Sequence, residues 1–293
     1  LSAELGGSLG ACAKEVTGEA VHDTRTGTRR IEAMLDVILH ERGGAHASAK
    51  ITRRWRALLK KIRRAAAPVR DLDVHRKLLE KLVWSKAGTT KKKATQTSKQ
   101  SKDRPARLGQ QAADLDAWLK NRRRRHAKRL KAQAAKWSPE AEEFYASFEA
   151  TLTARTDTRG ASDATGTALD AFACVAVEMP LLDGANLHEF RKGSKKARYI
   201  AESEEVSQRA DADAIRRSAG ASKALHTLQH AIGDWHDWLV LGEEAHRVLG
   251  DGAAELTERI EARRNRDYHL AITTTERIRR RLMAQWLMLR RHE

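Results

Sequence analysis

The stretch HDTRTGTRR, from His22 to Arg30, decides how this chain is read, because HEFRKGSKK, from His188 to Lys196, repeats its pattern without a gap. Both run histidine, acid, any residue, arginine, any residue, glycine, any residue and two cations, at an offset of 166 residues. Carried forward, that offset sets Arg70-Asp71-Leu72-Asp73-Val74 on His236-Asp237-Trp238-Leu239-Val240, with 49 positions from histidine to aspartate in each half. Two matches at one offset indicate a duplicated unit.

The unit reads as helical. Val21, Thr24, Thr28, Ile31, Leu35 and Ile38 recur at three- and four-residue spacing, as do Ile51, Trp55, Leu58, Ile62 and Ala66. Each set traces one helix face, and no strand-like alternation survives more than a few residues. The expected fold class is all-α with an internal duplication. Pro68, Pro105, Pro139 and Pro180 each read as lying near the start of a helix, and Ser138-Pro139-Glu140 reads as a serine N-cap followed by a first-turn proline. Two segments without bulky apolar side chains, 85–107 and 153–167, read as a mobile basic loop and as the seam between the halves. The halves are thus expected at 12–157 and 158–293.

Composition narrows the partners. Lys and Arg number 56 against 39 Asp and Glu, a formal charge of +17, which calls for a polyanion or an anionic surface. A hydrophobic content of 41% over 293 residues is enough for a core and excludes disorder throughout. No run of 18 apolar residues exists, which excludes a helical membrane span. Leu1 to Gly10 carries no basic leader, and Cys12 and Cys174 are far apart with no CxxC pair. Neither a zinc site nor a disulfide framework is expected, and a reducing cytoplasm is the simplest home.

At about 100° per residue, His22, Arg25 and Arg29 fall in one stripe beside the apolar stripe of Val21 and Ile31. His188, Arg191 and Lys195 repeat it. A basic stripe next to the core-facing stripe points into a crevice between packed helices, where low-dielectric walls concentrate the field on an anion. Arg53, Arg56, Lys60 and Arg63 form a further stripe on the following helix. Arginine suits phosphate because its planar fork donates two parallel hydrogen bonds, and lysine acts as a point charge. The runs Arg122 to His126 and Arg279 to Arg281 differ, because consecutive residues wrap round a helix and cannot all face one ligand. Asp71 and Asp73 read as helix-start capping or ion-pair residues, not catalysts.

These residues, H-D-x-R-x-x-x-R-R, R-D-L-D-V and their weaker copies LHEFRKGSKKARYIAE and HDWLV, resemble the CHAD family, the conserved histidine α-helical domain, over nearly the whole chain. The resemblance implies two pseudo-symmetric antiparallel helical bundles around a basic cavity or groove that binds inorganic polyphosphate, with association to polyphosphate granules. The family's positions fall on His22, Arg25, Arg29 and Arg30 in the first half, and on His188, Arg191, Lys195, Lys196 and Arg198 in the second. With Arg56, Lys60 and Arg63 from the neighbouring stripe, these form the expected binding set. Thr24, Thr26 and Gly27 stand where the family usually has larger apolar residues, and His236 stands where the first copy has Arg70. The triphosphatase-like domain often fused to family members is marked by E-x-E-x-K, which is absent here.

No catalytic residue, metal or cofactor is expected. One alternative, a metal-dependent phosphohydrolase, would use the dyads His22-Asp23 and His236-Asp237, but these occupy non-equivalent places in the two repeats. Another is a non-specific nucleic-acid-binding helical protein. Aromatics make up only 5% of the chain, few for base stacking, so weak and salt-sensitive nucleic-acid binding is expected only as a side effect. A third is a helical module whose basic face meets an acidic protein.

Overall fold

A computed structural model describes residues 2–41, 49–84, 100–153, 164–205 and 212–291. Among them the chain forms eight α-helices and no strand: α1 (Ser2–Lys14), α2 (Gly18–Glu41), α3 (Ala49–Trp84), α4 (Gln100–Thr153), α5 (Ala164–Glu178), α6 (Leu187–Glu205), α7 (Ala212–Leu249) and α8 (Ala254–Arg290). A short 3-10 turn, Gly250–Ala253, joins the last two. Helices α1 to α4 pack around one another, as do α5 to α8, and α2 meets α6 while α3 meets α7. The 166-residue offset therefore relates α2 to α6 and α3 to α7 in space as well as in sequence.

The apolar stripes are core wherever their side chains are described, which leaves out Ile38 and Ile51. Val21, Thr24, Thr28, Ile31 and Leu35 are buried along α2, and Trp55, Leu58, Ile62 and Ala66 along α3. Thr17 caps α2, its Oγ1 accepting from the Ala20 amide at 3.1 Å. Asp183 Oδ1 accepts from the Ala185 and Asn186 amides at 2.8 and 3.1 Å, setting the turn that starts α6 one residue before His188. The small residues of the repeat have a packing role. A Cβ on Gly27 would lie 3.2 Å from Leu5 Cβ, and one on Gly193 would lie 2.8 Å from both Val175 methyls, so in each half the preceding helix sits close against the motif glycine. Thr24, buried under α1, donates to Ser8 Oγ at 3.2 Å.

Two core clusters fill the two bundles, and a third crosses between them. It joins Leu72 and Leu79 of α3 and Leu115 and Leu119 of α4 to Trp238 and Leu241 of α7 and Leu256 and Ile260 of α8. The halves are therefore parts of one folding unit. Truncating the fully buried Leu241 to Ala should cost about 3 kcal/mol. Urea denaturation should show one transition with a lowered midpoint; two separated transitions would mean that the bundles fold independently.

Several boundaries differ from the sequence expectation. Pro68 and Pro139 lie inside α3 and α4, so neither starts a helix. A mid-helix proline removes a backbone hydrogen bond at a cost of about 3 kcal/mol. Burial on both sides offsets it: Ile62, Ala66, Val69 and Leu72 continue one face of α3, and Leu130, Ala134, Ala141 and Phe144 one face of α4. Residues 85–99 lie outside the described residues, but 100–107 are helical, so the expected loop is shorter at that end. Likewise 154–163 lie outside the described residues, and 164–167 open α5. Lack of bulky apolar residues limits burial without forbidding helix, because Lys, Arg, Gln and Ala are good helix formers.

Candidate anion-binding cavity

Where α2, α3, α6 and α7 meet they leave a cavity of about 430 Å³. Its lining falls into pairs at the 166-residue offset: His22 with His188, Arg25 with Arg191, Thr26 with Lys192, Arg29 with Lys195, Arg70 with His236, Asp71 with Asp237 and Val74 with Val240. Only His75 stands outside this pairing, its counterpart Leu241 being core. The duplication is thus a symmetric construction of one site. Six Lys and Arg side chains face two carboxylates, Asp71 and Asp237.

The cations are held by their own helices' neighbours. Arg25 Nη1 donates to Asp71 Oδ1 at 3.0 Å. Arg191 Nε donates to the Gln229 carbonyl at 2.9 Å, and its guanidinium lies over Gly233, where a Cβ would come within 2.8 Å of Nη2. Thr28 Oγ1 donates to the Arg25 carbonyl at 2.8 Å, and its counterpart Ser194 Oγ to the Arg191 carbonyl at 3.0 Å. His75 Nδ1 is 2.8 Å from Glu244 Oε2, and Glu244 Oε1 accepts from Arg122 at 3.1 Å, a buried link of α3, α7 and α4 below the cavity.

Burial and crowding of like charge mark the electrostatics. Lys195 is pushed down to about 6 by burial and then by Arg191, Arg29 and Arg25. His236 is lowered to about 4 by burial, then by His188 and Arg191; the two imidazole rings are 3.8 Å apart between centroids. His188 is lowered by burial and by Arg191, and His22 by burial and by Arg70. Burial raises the Asp237 carboxyl against the pull of Arg191. Among the described residues, Arg25 Nε and the Nδ1 atoms of His188 and His236 are buried without a hydrogen-bond partner. Unpartnered buried polar atoms are costly, and all three belong to residues that line this cavity.

Arg29, Lys192 and Lys195 also line a second cavity of about 390 Å³, with Arg56, Arg63, Lys196 and Tyr199. The two hollows therefore share a cationic wall. Arg63 is tied to Glu32, Nη1 to Oε2 at 2.5 Å. Three members of the expected binding set are placed elsewhere. Arg30 lies 100° round α2 from Arg29, lines a separate groove between α1 and α2, and reaches Glu202 at 3.5 Å. Arg198 also pairs with Glu202 at 3.5 Å and stacks on Tyr199. Lys60 is exposed and lines neither cavity, because it sits about 40° beyond Arg56 on α3.

Conversely Arg70, Lys192, His236, Asp237 and His75 line the cavity without belonging to the expected set. The 166-residue offset already paired Thr26 with Lys192, Arg70 with His236 and Asp71 with Asp237, and was signal enough for four of these positions; nothing in the repeat marks His75. Asp71 and Asp73 are ion-pair partners, of Arg25 and of Arg123, and not caps. Asp23 of the His22-Asp23 dyad faces the α1–α2 groove, away from His22's cavity. Among the described residues no three His, Cys, Asp or Glu side chains cluster as a metal site, and no helix is long and apolar enough to cross a membrane.

The fold and site define a class: an all-helical protein whose two equivalent halves close on one cationic cavity. The model of the CHAD domain matches residues 8–246, and the chain belongs to that family. A comparison with curated proteins gives no match.

Proposed function

We propose that this chain binds inorganic polyphosphate in the paired cavity and that its role is binding, not catalysis. The observation that carries the reading is the convergence of equivalent cations, Arg25 with Arg191 and Arg29 with Lys195, on one hollow. Folding alone does not ask for such crowding, because burying several like charges together destabilises. The ligand's chemistry follows from what lines the walls. No Phe, Tyr or Trp lines the main cavity, so stacking of bases has no platform there, while a polymer of bare phosphates needs only closely spaced donors. Arg29, Lys192 and Lys195 carry the chain onward into the second cavity beside Arg56 and Lys196. Membership of the CHAD family supports the same ligand, and extends the proposal to association with polyphosphate granules in the cytoplasm.

The test is a titration with short polyphosphate at two salt concentrations, with duplex DNA as competitor at equal phosphate. Polyphosphate should bind with strong salt dependence, by analogy with counterion release, and DNA should fail to displace it. Displacement by equal phosphate of DNA would refute the cavity's selectivity.

Binding should also take up protons. A polyanion raises the titration of Lys195 from about 6 and of His236 from about 4, so the complex holds protons that the free cavity has released. Affinity should therefore rise as pH falls from 8.5 to 5.5, by about tenfold for each proton-equivalent per unit of pH. Calorimetry in buffers of different ionisation enthalpy should show net uptake near pH 7; proton release would contradict the proposal.

A further inference from the structure

The arginine run on α4 divides in two. Arg122 pairs with Glu244 and Arg123 with Asp73, both turned into the fold. Arg124 and Arg125 point outward and continue into the exposed Lys128, Arg129, Lys131 and Lys136. No acid occurs from 117 to 139, nor from 49 to 70 on α3. The pairs Arg54–Glu140, Asp73–Arg123 and Arg76–Asp116 show the two helices running antiparallel, so these acid-free stretches lie side by side. By contrast α8, with its own run Arg279 to Arg281, intersperses Glu255, Glu258, Glu261 and Glu276. Like charges three and four residues apart weaken a helix, so this face costs stability and has no folding role.

We infer that the outer face of α4 from Arg124 to Lys136 is a second polyanion site, separate from the cavity, and that its ligand is the phosphate backbone of duplex nucleic acid. The face extends about 18 Å along the axis, against one duplex charge per about 1.7 Å. Its six cations spread over an arc of about 160° around the helix. A single phosphate thread or a flat bilayer meets only one stripe of such an arc. A groove has two phosphate walls, and the major groove, about 12 Å wide, admits an α-helix. Between the cations stand Ala132, Gln133 and Ala135, with no bulky apolar side chain to enter a membrane interface. Nothing on this face reads bases, so binding is independent of sequence.

The experiment compares the full chain with the variant carrying Arg124→Gln, Arg125→Gln, Lys128→Gln and Arg129→Gln. Glutamine keeps helix propensity, and circular dichroism checks the fold. At about 150 mM salt, duplex DNA affinity should fall by about 30-fold or more, and the slope of log K against log salt should flatten by about 3 to 4. Short polyphosphate binding should stay within about twofold. The pair Lys128→Gln with Arg129→Gln should flatten the slope by about half as much, and serves if the fourfold variant fails to fold. A cavity variant, Arg25→Ala with Arg191→Ala, should bind duplex as the parent does. Undiminished duplex binding by the α4 variants, loss of it in the cavity variant instead, or parent binding to phosphatidylserine vesicles but not to duplex would each overturn the inference. Failure of the cavity reading shows separately, as absence of short-polyphosphate binding by the parent.

Discussion

Replacing Lys195 by methionine will stabilise the free protein by about 1–3 kcal/mol while weakening polyphosphate binding at least tenfold. Lys195 is nearly buried among Arg191, Arg29 and Arg25, and titrates at about 6 instead of 10.5. In the unfolded chain it is protonated at neutral pH, so between these two values folding must give up a proton or hold a charge against its neighbours. Stability of the parent therefore falls as pH drops from about 10 towards 6, and the methionine variant lacks that slope. Melting temperature at pH 7 should rise by about 2–5 °C. The gap between parent and variant should narrow at pH 9. A variant less stable than the parent at pH 7 would show that Lys195 is paired in the free protein and not held ready for a ligand.

The second large effect concerns the symmetric arginines. Arg25→Ala and Arg191→Ala, made separately, should each lower polyphosphate affinity by about 10- to 100-fold, the worth of a charge-assisted hydrogen bond of about 1.5–3 kcal/mol. Each should also flatten the salt dependence by about one unit. Helicity should be unchanged, since neither guanidinium belongs to the apolar cores. Equilibrium binding with a fluorescent polyphosphate chain measures both. If one substitution leaves affinity intact while the other abolishes it, the halves do not share the ligand.

Much of this arrangement is legible in the chain itself. The spacing of Val21, Thr24, Thr28, Ile31 and Leu35 gives the buried face of α2, and the 166-residue offset pairs His22 with His188 before any coordinate is known. Periodicity fixes where a side chain points on its own helix but not what stands opposite. Arg30 finds Glu202 on α6, a partner that no local pattern announces, and Arg198 meets the same carboxylate as its i,i+4 neighbour. Lys60 shares a stripe with Arg56 and Arg63, yet only those two lean far enough towards α2 to reach the second cavity. Pro68 and Pro139 misled because the local cost of proline is outweighed by apolar faces that run unbroken through both sites. His75 lies on the cavity wall paired with Glu244 from the other half, a contact that the repeat does not mark.

Two equivalent rows of cations closing on a single phosphate chain is the claim on which the rest stands. Its most direct measure is the stoichiometry of a calorimetric titration with short polyphosphate of defined length. One chain bound per protein molecule is the predicted result; two independent chains per molecule, one for each half, would contradict it.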